Sequence, residues 1–173
     1  MNYLQIEKAS ISNGPGVRVV LWVSGCSLHC EGCQNQESWD FESGKLFDET
    51  TKQELFEALD KPYIQGITFS GGHPIEHQNT LCIYDLITEI KDKFPHKDIW
   101  LYTGFKLIMS DFQQPNIDLS IPNEIFRLCD VVVDGPYIKE QRDITLPFRG
   151  SKNQRLIDVK ETLKQGEIIT IQN

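Results

Sequence analysis

The run Val17-Arg18-Val19-Val20-Leu21-Trp22-Val23 limits the fold more than any other stretch, because it is apolar at six of seven positions. A strand wetted on one face alternates polar with apolar residues, whereas a near-continuous apolar run suits a parallel sheet covered on both sides. Gly66 to Ser70, Asp98 to Gly104 and Val131 to Val133 read as three further strands, the last ending at Asp134-Gly135-Pro136. Helical patterns separate them. Thr51-Lys52-Gln53-Glu54 has the form of a capping box opening a helix with Leu55, Phe56, Ala58 and Leu59 as its buried stripe, ended by Pro62. Leu81 to Phe94 places Ile83, Leu86, Ile87 and Ile90 at helical spacing and stops at Pro95.

Farther on, Leu107 to Asn116 is ambiguous, and Ser120 is a candidate cap for a short helix through Cys129. Leu156 to Val159 leads into a last helix that Asp158 and Glu161 could cap and Gly166 ends, followed by an edge strand at Ile168 to Ile171. Strands alternating with helices predict a parallel sheet with right-handed crossovers. The 173 residues suit one domain, 1–173, but fall short of the roughly 250 of a complete eight-stranded barrel. The expected architecture is therefore α/β, an incomplete (β/α) TIM-like barrel with a mostly parallel sheet.

The first apolar run delivers Ser24-Gly25-Cys26-Ser27-Leu28-His29-Cys30-Glu31-Gly32-Cys33, which gathers three of the five cysteines into eight residues. Thiolates select zinc, copper(I) or iron–sulfur clusters over hard cations. Structural zinc sites close with four ligands, and ordinary iron–sulfur clusters are also held by four cysteines. Three thiolates leave one coordination position open for chemistry. The plainer alternatives are a zinc knuckle completed by His29, His73 or His77, or an electron-carrying iron–sulfur module. Cys82 and Cys129 lie in apolar patterns and read as core residues.

Charge excludes other classes. With 25 acidic against 17 basic residues, a net charge of −8 and no basic run, the chain lacks the footprint of a nucleic-acid binder. No apolar segment approaches the roughly 20 residues that span a bilayer. Met1 to Ser10 lacks the pattern of a signal peptide, so a cytoplasmic location is expected. Scattered cysteines agree with a reducing compartment.

The three- and two-residue gaps between Cys26, Cys30 and Cys33 resemble the cluster motif of the radical S-adenosylmethionine enzymes. The resemblance implies that these cysteines hold three irons of a [4Fe–4S] cluster whose fourth iron is chelated by S-adenosylmethionine. In that superfamily a Gly-Gly-acid-Pro stretch binds the methionine amino group. Here it reads Gly71-Gly72-His73-Pro74, with histidine in the acidic position.

Further motifs narrow the resemblance to the activating proteins of anaerobic ribonucleoside-triphosphate reductases. They are Asn13-Gly14-Pro15-Gly16 with Arg18, Asn35 and Trp39 after the cysteines, Gly71-Gly72 with Pro74, and Lys97-Asp98-Ile99-Trp100 through Thr103-Gly104. Val133-Asp134-Gly135 and Arg149-Gly150-Ser151 with Asn153-Gln154 complete the series in the family's order. Gln34 departs from the aromatic residue common after the third cysteine.

By that resemblance, Gly32, Cys33 and Gln34 flank S-adenosylmethionine on one side and Gly71, Gly72 and His73 on the other. Thr103 and Asp134 face the same cavity and hydrogen-bond its ribose or carboxylate, and Arg149 and Arg155 meet the cofactor carboxylate or a partner. The implied activity is formation of a glycyl radical on the reductase, with flavodoxin or ferredoxin as electron donor. Another glycyl-radical protein or a small molecule is the alternative substrate. Trp22, Trp39 and Trp100 are expected to pack rather than relay electrons.

Overall fold

Strand β2 (Val17–Val23) forms where the apolar run requires it, and Val19, Leu21 and Val23 are fully buried on one of its faces. The computed structural model describes residues 1–112 and 121–171. Around β2 lie β1 (Asn2–Ser10), β3 (Lys45–Leu46), β4 (Ile64–Gly71), β5 (Asp98–Tyr102), β6 (Val131–Asp134) and β7 (Arg155–Asp158). Among the described residues they make one sheet in the order β3-β1-β2-β4-β5-β6-β7. The four central strands β2, β4, β5 and β6 run parallel. Antiparallel strands flank them on both sides. The edge strands β3 and β7 do not pair, so the sheet is open.

The crossovers carry α1 (Glu49–Leu59), α2 (His77–Lys93) and α3 (Ile121–Leu128), and α4 (Val159–Gln165) follows β7. Their apolar stripes meet one sheet face in a core that includes Leu55, Leu59, Ile67, Phe69, Ile83, Ile87, Ile99 and Leu101. Each such side chain contributes about 1.5–3 kcal/mol over its exposed state. Alternation sends Trp100, Val131, Val133 and Leu156 to the opposite face, where they form a second cluster. Cys129 is buried and Cys82 packs against the first core.

Several boundaries differ from expectation. Helix α1 is capped by Asp48, whose carboxylate accepts the Thr51 amide at 2.8 Å, so Thr51 lies inside the first turn. Helix α2 begins at His77, four residues before the apolar periodicity, because Asn79 and Thr80 are buried through hydrogen bonds. Asp158 caps α4 and Gly166 closes it in the left-handed conformation at φ 73°. The edge strand expected at Ile168 to Ile171 is only an isolated bridge, Ile157 to Thr170. The cap expected at Ser120 and residues 113–116 of the ambiguous stretch lie outside the described residues.

Arg18 is the polar centre of the inner sheet face and is fully buried. Its Nε donates to Thr68 Oγ1 at 3.0 Å, Nη1 to the Pro15 carbonyl at 3.3 Å and Nη2 to the Ile67 carbonyl at 3.0 Å. Nη2 also pairs with the Asp98 carboxylate at 2.5 Å, and the guanidinium lies over the Trp100 ring. Thr68 Oγ1 in turn donates to the Asn13 carbonyl at 2.8 Å. One side chain therefore joins β2, β4 and β5 to the Asn13–Gly16 turn.

Candidate functional site

The cysteine loop leaves β2 at its C-terminal end and folds back on the short 3-10 turn Gln36–Ser38. The Gly25 amide donates to the Ser38 carbonyl at 2.7 Å, and the Cys26 amide to the Trp39 carbonyl at 3.1 Å. Gly25 adopts φ 91°, and a Cβ there would lie 2.3 Å from the Phe41 ring, so glycine is required by both conformation and space. His29 stacks on Trp39 with centroids 4.5 Å apart.

All three cysteines are free thiols, Cys26 buried and Cys30 and Cys33 half-buried. Burial pushes the Cys26 thiol up. The Leu28 and His29 amides oppose that shift, while the nearby Glu76 carboxylate adds to it. The Asn35 amide donates to Cys33 Sγ at 3.4 Å. Three thiols on one loop, one of them accepting from a backbone N–H group, are a donor set that fits an iron–sulfur cluster, whose sulfurs are tuned by such bonds.

The histidines considered as zinc ligands are otherwise engaged or apart. His29 is stacked, His77 is exposed at the start of α2, and both ring nitrogens of His73 have partners. Among the described residues no three histidine, cysteine or carboxylate side chains converge on a single-ion position.

The Gly71-Gly72-His73-Pro74 turn packs directly on the cysteine loop. A Cβ on Gly72 would lie 2.5 Å from the Gly25 carbonyl oxygen, and one on Gly71 2.7 Å from that of Val23. The Gly72 amide donates to the Val23 carbonyl at 2.8 Å and the His73 amide to the Gly25 carbonyl at 2.7 Å. Asn35 Nδ2 reaches the Gly71 carbonyl at 3.3 Å. These glycines thus bring two strand-end loops into backbone contact.

His73 is buried, with Nε2 2.9 Å from Thr103 Oγ1 and Nδ1 3.2 Å from Glu76 Oε1. Burial depresses its pKa against the opposing pull of Glu76, so at neutral pH the contact joins a neutral imidazole to a carboxylate. For Glu76, burial raises the pKa, but hydrogen bonds from Ser27 and His73 prevail and hold it below the ordinary range.

A cavity of about 510 Å³ adjoins the loop on the inner sheet face. Trp22, Ser70 and Tyr102 form its floor, and Cys33 and Gln34 its edge. Tyr137, Phe148 and Arg149 close the far side, together with Arg142. Tyr102 donates its hydroxyl to the Phe148 carbonyl at 2.5 Å, and burial raises its pKa. Trp22 donates to Glu7 at 3.1 Å. Arg149 Nε is buried without a hydrogen-bond partner among the described residues.

Among the residues expected to surround one cofactor, Cys33 and Gln34 border this cavity. Gly32 lies beside them in the loop, where a Cβ would meet Lys139 and Tyr137. Thr103 and Asp134 are not among the residues that line it, and neither are Gly71, Gly72 and His73. Val131 and Val133 occupy the inner face, so strand alternation turns Asp134 away. Its fully buried carboxylate accepts from Arg155 Nε at 3.0 Å and from the Leu107 amide at 2.8 Å, and Arg155 Nη2 pairs with it as well. Arg155 is therefore committed to Asp134, and Thr103 to His73. Sequence reasoning missed Glu7, Ser70, Tyr102 and Tyr137, although the parity of β2, β4 and β5 places Trp22, Ser70 and Tyr102 on one face.

Comparison with known proteins agrees with this composition. The family described as a 4Fe-4S single cluster domain matches residues 12–157. The chain is 44% identical over 156 residues to the anaerobic ribonucleoside-triphosphate reductase-activating protein of Enterobacteria phage T4, spanning 90% of this chain and 93% of that protein. Proteins of the same name from Haemophilus influenzae and Escherichia coli K12 are 41% and 38% identical, each over 89% of this chain and 96% of their own length.

Proposed function

The chain belongs to the family of anaerobic ribonucleoside-triphosphate reductase-activating proteins, and on that premise we propose that it generates a glycyl radical on such a reductase. Cys26, Cys30 and Cys33 would hold a [4Fe–4S] cluster with one iron left open to S-adenosylmethionine. The observation that carries this reading is the set of three free thiols on one loop at the C-terminal end of a central parallel strand, with Cys33 at the edge of a cavity. When bound, the cluster and S-adenosylmethionine supply an electron and a cleavable sulfonium, and so a carbon radical able to take a hydrogen atom from glycine.

The chain's own residues bind, orient and shield. Gln34 and the Gly32–Cys33 backbone border the cofactor. Arg149 lines the cavity beside Arg142, and among the described residues its Nε has no hydrogen-bond partner, so it is the proposed partner of a cofactor carboxylate. Trp22, Tyr102, Tyr137 and Phe148 give the cavity aromatic walls that exclude water. Asp134 and Arg155 act behind the wall by fixing the ends of β6 and β7. The open sheet serves as an incomplete barrel, residues 1–173 acting as one domain, and the reductase closes its unpaired side. Flavodoxin or ferredoxin is the proposed reductant, in the cytoplasm. Among the described residues no helix is long and apolar enough to cross a membrane.

The test is anaerobic incubation of the reconstituted chain with purified reductase, dithionite and S-adenosylmethionine. A glycyl signal by electron paramagnetic resonance is expected, together with its loss when any one of the three cysteines is replaced by alanine. Methionine release without that signal points to another substrate. A colourless zinc protein contradicts the reading outright.

A further inference from the structure

Ser27, Glu76, His73 and Thr103 form one chain of hydrogen bonds from the cysteine loop to the end of β5. Glu76 Oε1 accepts the Ser27 amide and the Ser27 hydroxyl, both at 2.8 Å, and lies 3.2 Å from His73 Nδ1. His73 Nε2 lies 2.9 Å from Thr103 Oγ1, which accepts the Phe105 amide at 3.2 Å. An ionised carboxylate only accepts, so the proton of neutral His73 sits on Nδ1. Nε2 is then bare, and the Thr103 hydroxyl donates to it. Every bond in the chain has a fixed direction.

The same segment holds the loop at two neighbouring points. The His73 amide donates to the Gly25 carbonyl at 2.7 Å, and Asn79 Nδ2 donates to the Ser24 carbonyl at 2.8 Å and the His73 carbonyl at 3.1 Å. Gly25 and Ser27 are thus tied to the β4–α2 connection and Ser24 to the first turn of α2, and they bracket Cys26. Ordering a free backbone costs about 1–2 kcal/mol per residue. A loop already fixed on both sides of its first thiol avoids much of that cost when it takes up a ligand.

We propose that Glu76 is the positioning residue of the cysteine loop: oriented through His73 by Thr103, it clamps Ser27 and holds Cys26 in its ligating place before any cluster is present. The proposal rests on the reading of Cys26, Cys30 and Cys33 as cluster ligands. Glu76 contributes no ligand itself. It acts through the loop, and its effect is present in the iron-free chain.

The experiment uses the full reduced chain without iron. Nitrogen-15 spectra of the imidazoles should show His73 as the Nδ1–H tautomer, because the partner of one ring nitrogen fixes the other. In Glu76→Ala that preference is lost, and exchange of the Ser27 amide accelerates about tenfold or more, as expected on losing a charged acceptor. Iron retained after anaerobic reconstitution and desalting falls below the wild-type value. Glu76→Gln keeps an acceptor oxygen for Ser27, so it restores amide protection and iron retention.

An Nε2–H tautomer in the unmutated chain overturns the proposal. So does a Ser27 exchange rate in Glu76→Ala within twofold of wild type. The unmutated tautomer decides the matter if Glu76→Ala does not fold. Failure of the unmutated chain to take up iron overturns the cluster assignment instead, and the tautomer and exchange data then still report the clamp.

Discussion

Replacing Arg18 with methionine tests whether the inner sheet face is organised as the geometry implies. The guanidinium is fully buried and donates to Thr68, Pro15 and Ile67 while pairing with Asp98. Methionine fills most of the volume but leaves four acceptors, Thr68 Oγ1 and the Pro15, Ile67 and Asp98 carbonyls, and a carboxylate without their donor. Removing one partner of a buried pair costs about 3–5 kcal/mol. Asp98 keeps about a quarter of its side chain exposed, 26%, so water recovers part of its solvation and the loss belongs near the lower end, about 3 kcal/mol.

That is a large share of the roughly 5–15 kcal/mol by which domains are stable. Urea unfolding of the reduced, iron-free chain should show a lower midpoint with an unchanged slope. Arg18→Lys retains a charge for Asp98 but loses the planar fork, so it should fall between the two. Because Thr68 passes the contact to the Asn13 carbonyl, proteolysis near Asn13–Gly16 should also rise in Arg18→Met. A stability loss below about 1 kcal/mol would refute the reasoning, since it would mean that the hydrogen bonds contribute no more than an apolar filler.

Gly72→Ala should displace the cysteine loop, because its Cβ would stand 2.5 Å from the Gly25 carbonyl; a loss of about 1–3 kcal/mol is expected by thermal or urea unfolding. Arg149→Met should leave stability within about 0.5 kcal/mol while weakening S-adenosylmethionine binding by calorimetry, since Arg149 Nε has no partner to lose among the described residues. The folded pKa of His73 lies below its ordinary 6.5, so its contribution to stability is present above pH 6.5 and is lost as pH falls toward the folded value. Glu76 acts in a lower window, its contribution being present above 4.5 and lost as pH falls through its depressed folded pKa. Unfolding free energies measured from pH 7.5 to 5 should therefore decline in the wild type and flatten in His73→Gln.

The parallel core was legible because β2, β5 and β6 are apolar at most positions and β4, though it carries Thr68 and Ser70 on its inner face, presents Ile67 and Phe69 to the helices. Val17–Val23 is found at the bounds read from the sequence, and β4, β5 and β6 shift by only one or two residues at an end. The flanks were not legible. Strand β1 carries Gln5, Glu7 and Lys8 amid its apolar residues, and its pairing is set by β2 rather than by its own pattern. The start of α2 was hidden because Asn79 and Thr80 are buried by hydrogen bonding, which apolar periodicity does not register.

The cysteine loop and the glycine turn were visible as local motifs. Strand parity carried the signal for where Asp134 lies: Val131 and Val133 share the inner face, so Asp134 points outward to Arg155. Glu76 had no signal of its own. Its role arises from a turn that folds a carboxylate back onto a loop 49 residues earlier, a distance in sequence that no short motif spans.

The central claim is that three thiolates leave one iron of a cluster open to S-adenosylmethionine. Electron paramagnetic resonance of the anaerobically reduced chain, recorded before and after S-adenosylmethionine is added, tests it most directly. The account predicts a reduced [4Fe–4S] signal whose shape changes on addition and which disappears in Cys26→Ala, Cys30→Ala and Cys33→Ala. A cluster signal that S-adenosylmethionine leaves unchanged, or one that survives all three substitutions, would contradict it.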